Sequence, residues 1–136
     1  MSGTTLFDWQ FAMQILPDLL RAAVYTVGIT IVGFALALVG GLLLALLRRS
    51  RSRLLSWPAT GVIEFVRSTP LLIQLYFLFS VMPEFGLTLS ALAAGTLGIA
   101  LHYSCYVAEV YRAGLNAVPR GQWEAASALS MSPWTV

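Results

Sequence analysis

The chain contains no lysine, one cysteine and one histidine, and charged residues make up only 10% of its 136 residues. A soluble domain of this size carries about a quarter charged residues. One cysteine excludes an intrachain disulfide and a cysteine-based zinc site, so Cys105 is predicted to be a small packing residue. Without lysine there is no phosphate-binding Gly-x-x-x-x-Gly-Lys loop, and a net charge of +2 is too small to indicate nucleic-acid binding. What remains is a hydrophobic fraction of 58%, which predicts a membrane protein.

Three apolar stretches are long enough to cross a bilayer, which requires about 20 residues of α-helix. We therefore predict an all-α membrane protein with spans over about 22–47, 62–82 and 91–111. Residues 1–21 are too polar to span and lack a signal peptide's basic start. They are predicted to be an extracytoplasmic segment lying in the membrane interface, with Trp9 at headgroup depth.

The arginines predict the orientation. Arg48, Arg49, Arg51 and Arg53 directly follow the first span and belong in the cytoplasm by the positive-inside rule. The N-terminus and the turn containing Glu84 then lie outside, and the segment after the third span lies inside.

Small residues recur at four-residue spacing in the first and third spans. Such faces allow two helices to approach closely. The two sets are Ala37, Gly41 and Ala45, and Ala100, Ser104 and Ala108.

Charged residues within the second and third spans are spaced for pairing on one helix face. Glu64 with Arg67, and Glu109 with Arg112, are separated by three residues. Pro70 interrupts the backbone hydrogen bonds of the second span, so a kink or a helix start is predicted there.

Uncharged polar residues also lie inside the spans, where they are costly unless they have a partner. Gln74 fits a contact between helices and the lining of a cavity equally well. His102 is either a hydrogen-bonded packing residue or part of a transport path, and no second ligand accompanies it at metal-binding spacing. The candidates for a substrate path are Gln74, Tyr76, His102, Tyr103, Ser104 and Tyr106.

A polar loop over 118–133 follows the third span. Pro119 and Gly121 end the preceding structure, and the residues from Gln122 to Leu129 favour a short helix. Ser132 and Pro133 resemble an N-cap and the first position of a further helix. A short helix isolated in the cytoplasm is typical of a docking element for a soluble partner.

This loop, with Glu124-Ala-Ala126 after Pro119-Arg-Gly-Gln-Trp123, resembles the EAA loop of permease subunits in binding-protein-dependent ABC importers. The stretches 64–74 and 106–114 resemble the polar amino acid branch of that family. The amino-acid sequence of 65–70 and 102–104 is most similar to that of the permeases for ectoine and hydroxyectoine. The resemblance covers the chain from about residue 22.

The resemblance implies a bacterial inner-membrane permease that is not itself an enzyme and has neither catalytic residues nor a cofactor of its own. A separate ATPase subunit would bind Mg-ATP, a second permease subunit would complete a homo- or heterodimer, and an extracytoplasmic binding protein would deliver substrate. The EAA helix would fit a groove on the ATPase. By the resemblance, the coupling residues are Gly121, Trp123, Glu124, Ala125, Ala126 and Ser130, and the structural or gating residues are Glu64, Arg67, Pro70, Glu109 and Arg112.

Two features depart from the family pattern. Ser130 stands where members usually have glycine, and with Ser132 it is expected to cap the next helix. Members of the type I importer family have a core of five spans, and about three are predicted here. The chain is therefore expected to be a fragment or a truncated product.

A zwitterionic substrate requires partners for a carboxylate and for a cation. Aromatic rings can hold the cationic group, and Tyr76, Tyr103 and Tyr106 are candidates. Two other classes stay open: a small membrane anchor or accessory protein, and an ion-coupled secondary transporter. The second of these needs carboxylates at mid-membrane and paired inverted repeats, and no repeat is evident.

Overall fold

The helices of the chain were located in a computed structural model, which describes residues 8–132 and residue 135. The described part contains five α-helices and no strand. They are α1 (Trp9–Arg49), α2 (Arg53–Arg67), α3 (Leu71–Tyr76), α4 (Ala91–Asn116) and α5 (Arg120–Ala128). A π-helical turn (Phe77–Val81) and a 3₁₀ turn (Met82–Phe85) continue α3.

Helix α1 is a single helix of 41 residues. It starts where Oδ1 of Asp8 accepts hydrogen bonds from the backbone N–H groups of Gln10 and Phe11, at 2.9 and 3.1 Å. Residues 9–21 are therefore the first turns of the same helix that carries the first predicted span, and Pro17 lies within it. The position of this segment in the membrane interface stays a prediction, and residues 1–7 lie outside the described part.

The core lies between the C-terminal half of α1 and helix α4. The buried residues of α1 are Gly33, Ala37, Gly41 and Ala45, at strict four-residue spacing. The facing residues of α4 include Ala100, Ser104 and Ala108. The prediction that these two small faces pack against other helices is confirmed, and they pack against each other.

Helix α2 covers the C-terminal half of this pair with Ile63 and Val66. Cys105 is fully buried there and packs with these residues, as predicted for a small packing residue. The fold therefore brings three helices together at one end of the molecule, where the charged residues lie.

The second predicted span is sharply bent. The axis turns by 104° between α2 and the segment 71–85, at the interruption predicted at Pro70. The break follows from Pro70, which lacks an N–H donor and disfavours helical geometry at Thr69. Pro70 is the N-cap of α3, which confirms the predicted helix start. Helices α1 and α4 are long and apolar enough to cross a membrane, and the bent pair is a third candidate if it is counted as one span.

Candidate functional site

Three helices meet at a cluster of charged residues that we call the Arg48 cluster: Arg48, Glu64, Glu109 and Arg112. Arg48 of α1 forms an ion pair with Glu109 of α4, and its guanidinium lies 3.6 Å from the carboxylate of Glu64 on α2. Arg112 donates from Nε to Oε2 of Glu109 at 2.8 Å, which is the predicted pair at three-residue spacing. The cluster therefore joins the ends of α1, α2 and α4 through one arginine.

The other predicted pair, Glu64 with Arg67, is not formed. Glu64 contacts Arg48 instead, and the guanidinium of Arg67 lies over the ring of Tyr106, 5.3 Å from its centroid. This is a cation–π contact between α2 and α4. Spacing within a helix could not reveal either contact, because both depend on how two helices cross.

Gln74 closes the break between α2 and α3. Its Nε2 donates to the backbone carbonyls of Val66 and Thr69, at 2.8 and 3.0 Å, and its Oε1 lies 3.3 Å from Nδ1 of His102. The carbonyls at a helix end have no partner within the helix, so these bonds stabilise the bend. The contact between helices, one of the two alternatives open for Gln74, is formed. Gln74 also lines a largely apolar cleft of about 320 Å³, together with Phe65 and Leu101.

The aromatic candidates for the path surround His102. Its ring lies 5.0 Å from that of Tyr106 and 5.4 Å from that of Tyr103, measured between centroids. Gln74, His102, Tyr103, Tyr106 and Arg67 thus form one group beside the helix break, which we call the His102 group. Arg67 was predicted as a structural or gating residue and not as a member of the path.

Two candidates for the path lie elsewhere. Ser104 is 6% exposed, and its hydroxyl donates to the carbonyl of Ala100 at 2.6 Å. It packs against Gly40 of α1, which covers that face of α4, so Ser104 lies apart from the His102 group. Tyr76 lines a separate apolar groove between α3 and the start of α4.

Replacing Gln74 with leucine is expected to lower the free energy of unfolding by about 1 kcal/mol. The substitution removes the side-chain donor to two carbonyls at the break and keeps the apolar volume. Chemical unfolding of the chain in detergent, followed by circular dichroism, measures the change. His102→Leu is the matched control, since it removes the 3.3 Å contact and the ring contacts of His102 but leaves both carbonyl bonds in place. An equal loss for both variants would contradict the role assigned to Gln74.

Helix α5 stands apart from the bundle. It starts at Arg120, directly after Pro119, close to the predicted start at Gln122. Within the described residues it packs against none of the other helices. Trp123, Glu124 and Ala125 are exposed, whereas Ala126 is 8% exposed and faces the inside of its own loop. Gly121 and Ser130 are exposed as well, so a partner can reach five of the six predicted coupling residues in this conformation.

Ser130 ends α5 in the left-handed region, with φ of +54°. Two hydrogen bonds close the end of the helix: the N–H of Ser130 donates to Ser127, and that of Met131 donates to Ala126, both at 3.0 Å. This is the Schellman pattern, which usually has glycine at the left-handed position. Ser130 thus terminates α5, and the expectation that it caps the following helix with Ser132 stays a prediction. The further helix predicted from Pro133 begins outside the described residues.

Replacing Ser130 with glycine is expected to stabilise this helix end by about 1 kcal/mol, because glycine adopts positive φ without the steric cost that serine bears. Amide hydrogen exchange at Met131, whose N–H closes the motif, reports the change directly. Ser127→Gly is the opposing control, since glycine within the helix loosens the same end. Faster exchange in Ser130→Gly would contradict the interpretation.

The small-residue packing and the membrane-length helices define an all-helical integral membrane protein, with one short helix displayed at the end of the bundle. The profile of the family described as "Binding-protein-dependent transport system inner membrane component" matches residues 37–136. The chain belongs to this family.

Known relatives and one solved structure agree with this assignment. The chain is 46% identical over 123 residues to "Probable amino-acid ABC transporter permease protein y4tG" of Sinorhizobium fredii, covering 90% of the chain and 53% of that protein. It is 33% identical over 129 residues to "L-cystine transport system permease protein TcyB" of Bacillus subtilis, covering 94% and 55%. A solved structure titled "Crystal structure of an amino acid ABC transporter with histidines" matches with a TM-score of 0.86 and 33% identity, over 93% of this chain and 59% of that one. The chain thus spans just over half the length of each of these three proteins.

Proposed function

We propose that the chain is part of the transmembrane permease of an ATP-driven importer for amino acids and that α5 is the helix through which an ATPase subunit acts on it. The observation that carries the proposal is the placement of α5, which leaves the bundle after Pro119 and exposes Trp123, Glu124 and Ala125. Its family and the printed names of its relatives support the class of transporter. Such a permease is a transport subunit and not an enzyme.

The partners follow from the same class. An ATPase subunit binds Mg-ATP and receives α5, a second permease subunit completes the pathway, and an extracytoplasmic protein delivers the substrate. In this proposal the N-terminus lies outside the bacterial inner membrane, and the arginine loop and α5 lie in the cytoplasm, as the positive-inside rule predicts.

The Arg48 cluster supports a mechanical role for α4 in this assembly. Because α4 leads directly to the loop that holds α5, movement of α5 by the ATPase pulls on the end of α4. Arg48 ties that end to α1 and α2, so the three helices move together. A rigid connection of this kind transmits a displacement of α5 to the helices within the membrane.

We propose a polar amino acid as the substrate. Arg67, which has no carboxylate partner among the described residues, is suited to the substrate carboxylate, and Gln74 and His102 offer hydrogen bonds nearby. Arg67 occupies a face of the Tyr106 ring, so Tyr103 is the better candidate for the substrate's cationic group. Ectoine or hydroxyectoine, suggested by the sequence of 65–70 and 102–104, is the narrower alternative. The printed names of the relatives above refer to amino acids and L-cystine.

Co-purification tests the proposal. The affinity-tagged chain, extracted from bacterial membranes in mild detergent, is expected to retain an ATPase subunit recognisable by its Gly-x-x-x-x-Gly-Lys sequence in mass spectrometry. Glu124→Lys should abolish most of this recovery, because it reverses the charge of an exposed residue on α5. Glu84→Lys, in the turn at the opposite end of α4, is the matched control and should have no effect. Recovery that is absent, or equal for both variants, would favour a membrane anchor or a secondary transporter.

A further inference from the structure

A cleft of about 420 Å³ opens between the C-terminal ends of α1 and α4, and arginine dominates its wall. It shares Arg48 and Arg112 with the Arg48 cluster and no residue with the His102 group. The lining residues are Ala45, Arg48, Arg49, Arg112, Leu115 and Asn116.

The charges at this cleft do not balance. Arg48 and Arg112 share the carboxylate of Glu109, and Arg48 also reaches Glu64. Arg49 has no ion pair within the described residues. Three guanidinium groups therefore meet two carboxylates, and the donors of Arg49 stay available to an anion. The arginines also complement the negative C-terminal ends of α1 and α4. This accounts for the presence of the arginines, but it does not explain the open cleft between the two helices.

The cleft lies where the apolar helices end. Helix α1 has no charged residue from Ala22 to Leu47, and Arg48 is the first after that run. Helix α4 has none from Ala91 to Ala108, and Glu109 follows. The charged residues of both helices thus begin at one level, which is the depth of lipid headgroups in a bilayer.

The wall is amphipathic as well. Ala45 and Leu115 supply an apolar part beside the guanidinium groups, and Leu115 is 48% exposed. A phosphate diester with attached acyl chains can contact both the guanidinium groups and the apolar part of this wall. A free phosphate can contact only the guanidinium groups. Basic pockets between membrane helices are known to hold anionic headgroups.

We propose that this cleft binds the phosphate of an anionic phospholipid, with Arg49 and Arg112 as its donors and the acyl chains along the adjoining apolar faces of α1 and α4. The proposal does not depend on the transported substrate. A bound lipid would supply the missing negative charge and stabilise the junction between α1 and α4.

Lipid titration of the purified chain in detergent, followed by native mass spectrometry, tests this. Phosphatidylglycerol is expected to bind about tenfold more tightly than phosphatidylcholine, because only the former carries a net negative charge. Arg49→Gln should weaken phosphatidylglycerol binding about fivefold, the effect expected of one arginine at a headgroup. Arg51→Gln, in the same loop but outside the cleft wall, should leave it unchanged.

Each contrary outcome overturns the proposal. Equal affinity for the two lipids excludes a charge-selective site, and this comparison uses the unaltered chain. Equal weakening by Arg49→Gln and Arg51→Gln places the attraction in the loop as a whole. Displacement of phosphatidylglycerol by excess inorganic phosphate identifies a free-anion site instead of a lipid site. Unchanged circular dichroism of both variants confirms that their folds are intact.

Discussion

Replacing Arg48 with leucine is expected to lower the free energy of unfolding by about 2–3 kcal/mol. Arg48 is the one residue of the Arg48 cluster that joins α1 to both α2 and α4, and its side chain is only 24% exposed. Removing one partner of a fully buried ion pair costs about 3–5 kcal/mol, and here Glu109 keeps Arg112 as a second partner. The partial exposure of this pair reduces that value. Chemical unfolding in detergent, followed by circular dichroism, measures the loss.

Two comparisons isolate the ion pair from general effects of charge. Arg51→Leu removes a nearby exposed arginine and should change the free energy of unfolding by less than about 0.5 kcal/mol. The double variant Arg48→Leu with Glu109→Leu should lose clearly less than the sum of the two single losses, because the groups interact directly. Strict additivity would contradict the contact.

Replacing Gly41 with alanine is expected to destabilise the α1–α4 interface by about 1–3 kcal/mol, the usual cost of an overpacked core. A Cβ at this position would lie 2.6 Å from Cγ1 of Val107 and 2.9 Å from the backbone oxygen of Ser104. The side chain could adjust, but the backbone oxygen can move only if the two helices separate. Thermal unfolding in detergent reports the change as a lower Tm.

Gly28→Ala provides a control of opposite sign in the same helix. Nothing lies within 4 Å of a Cβ at Gly28, so only the intrinsic helix preference changes there. Alanine is favoured over glycine within a helix by about 1 kcal/mol, and the Tm should stay equal or rise. A Tm that falls as much in Gly28→Ala as in Gly41→Ala would contradict close packing at Gly41.

The packing of α1 on α4 could be predicted because it depends on a local pattern. Gly41 and Ser104 belong to runs of small residues at four-residue spacing, and helical geometry places such residues on one face. The helix start at Pro70 follows in the same way from the chemistry of one residue. The short helix α5 was predictable from Pro119 and from the helix formers that follow it.

The contacts of Arg48 with Glu64 and Glu109 could not be predicted, because they depend on the angles between helices. The spacing of Glu64 and Arg67 suggested a pair, yet the bend of 104° at Pro70 and the crossing of α1 give each a different partner. The role of Gln74 depends on the same bend, since its amide reaches carbonyls that a continuous helix would not expose. The left-handed backbone conformation of Ser130 had one signal in the sequence. The permease family that the sequence resembles usually has glycine at this position.

The central claim is that α5 is the contact point for an ATPase subunit, and site-directed cross-linking tests it most directly. The single native cysteine, Cys105, is fully buried, so a maleimide photo-cross-linker will label an introduced exposed cysteine selectively. Ala125→Cys on α5 is predicted to give an adduct in bacterial membranes between this chain and a protein carrying a Gly-x-x-x-x-Gly-Lys loop. Thr88→Cys, in the turn before α4, should give none. The absence of that adduct at Ala125, or an equal yield from Thr88, would contradict the claim.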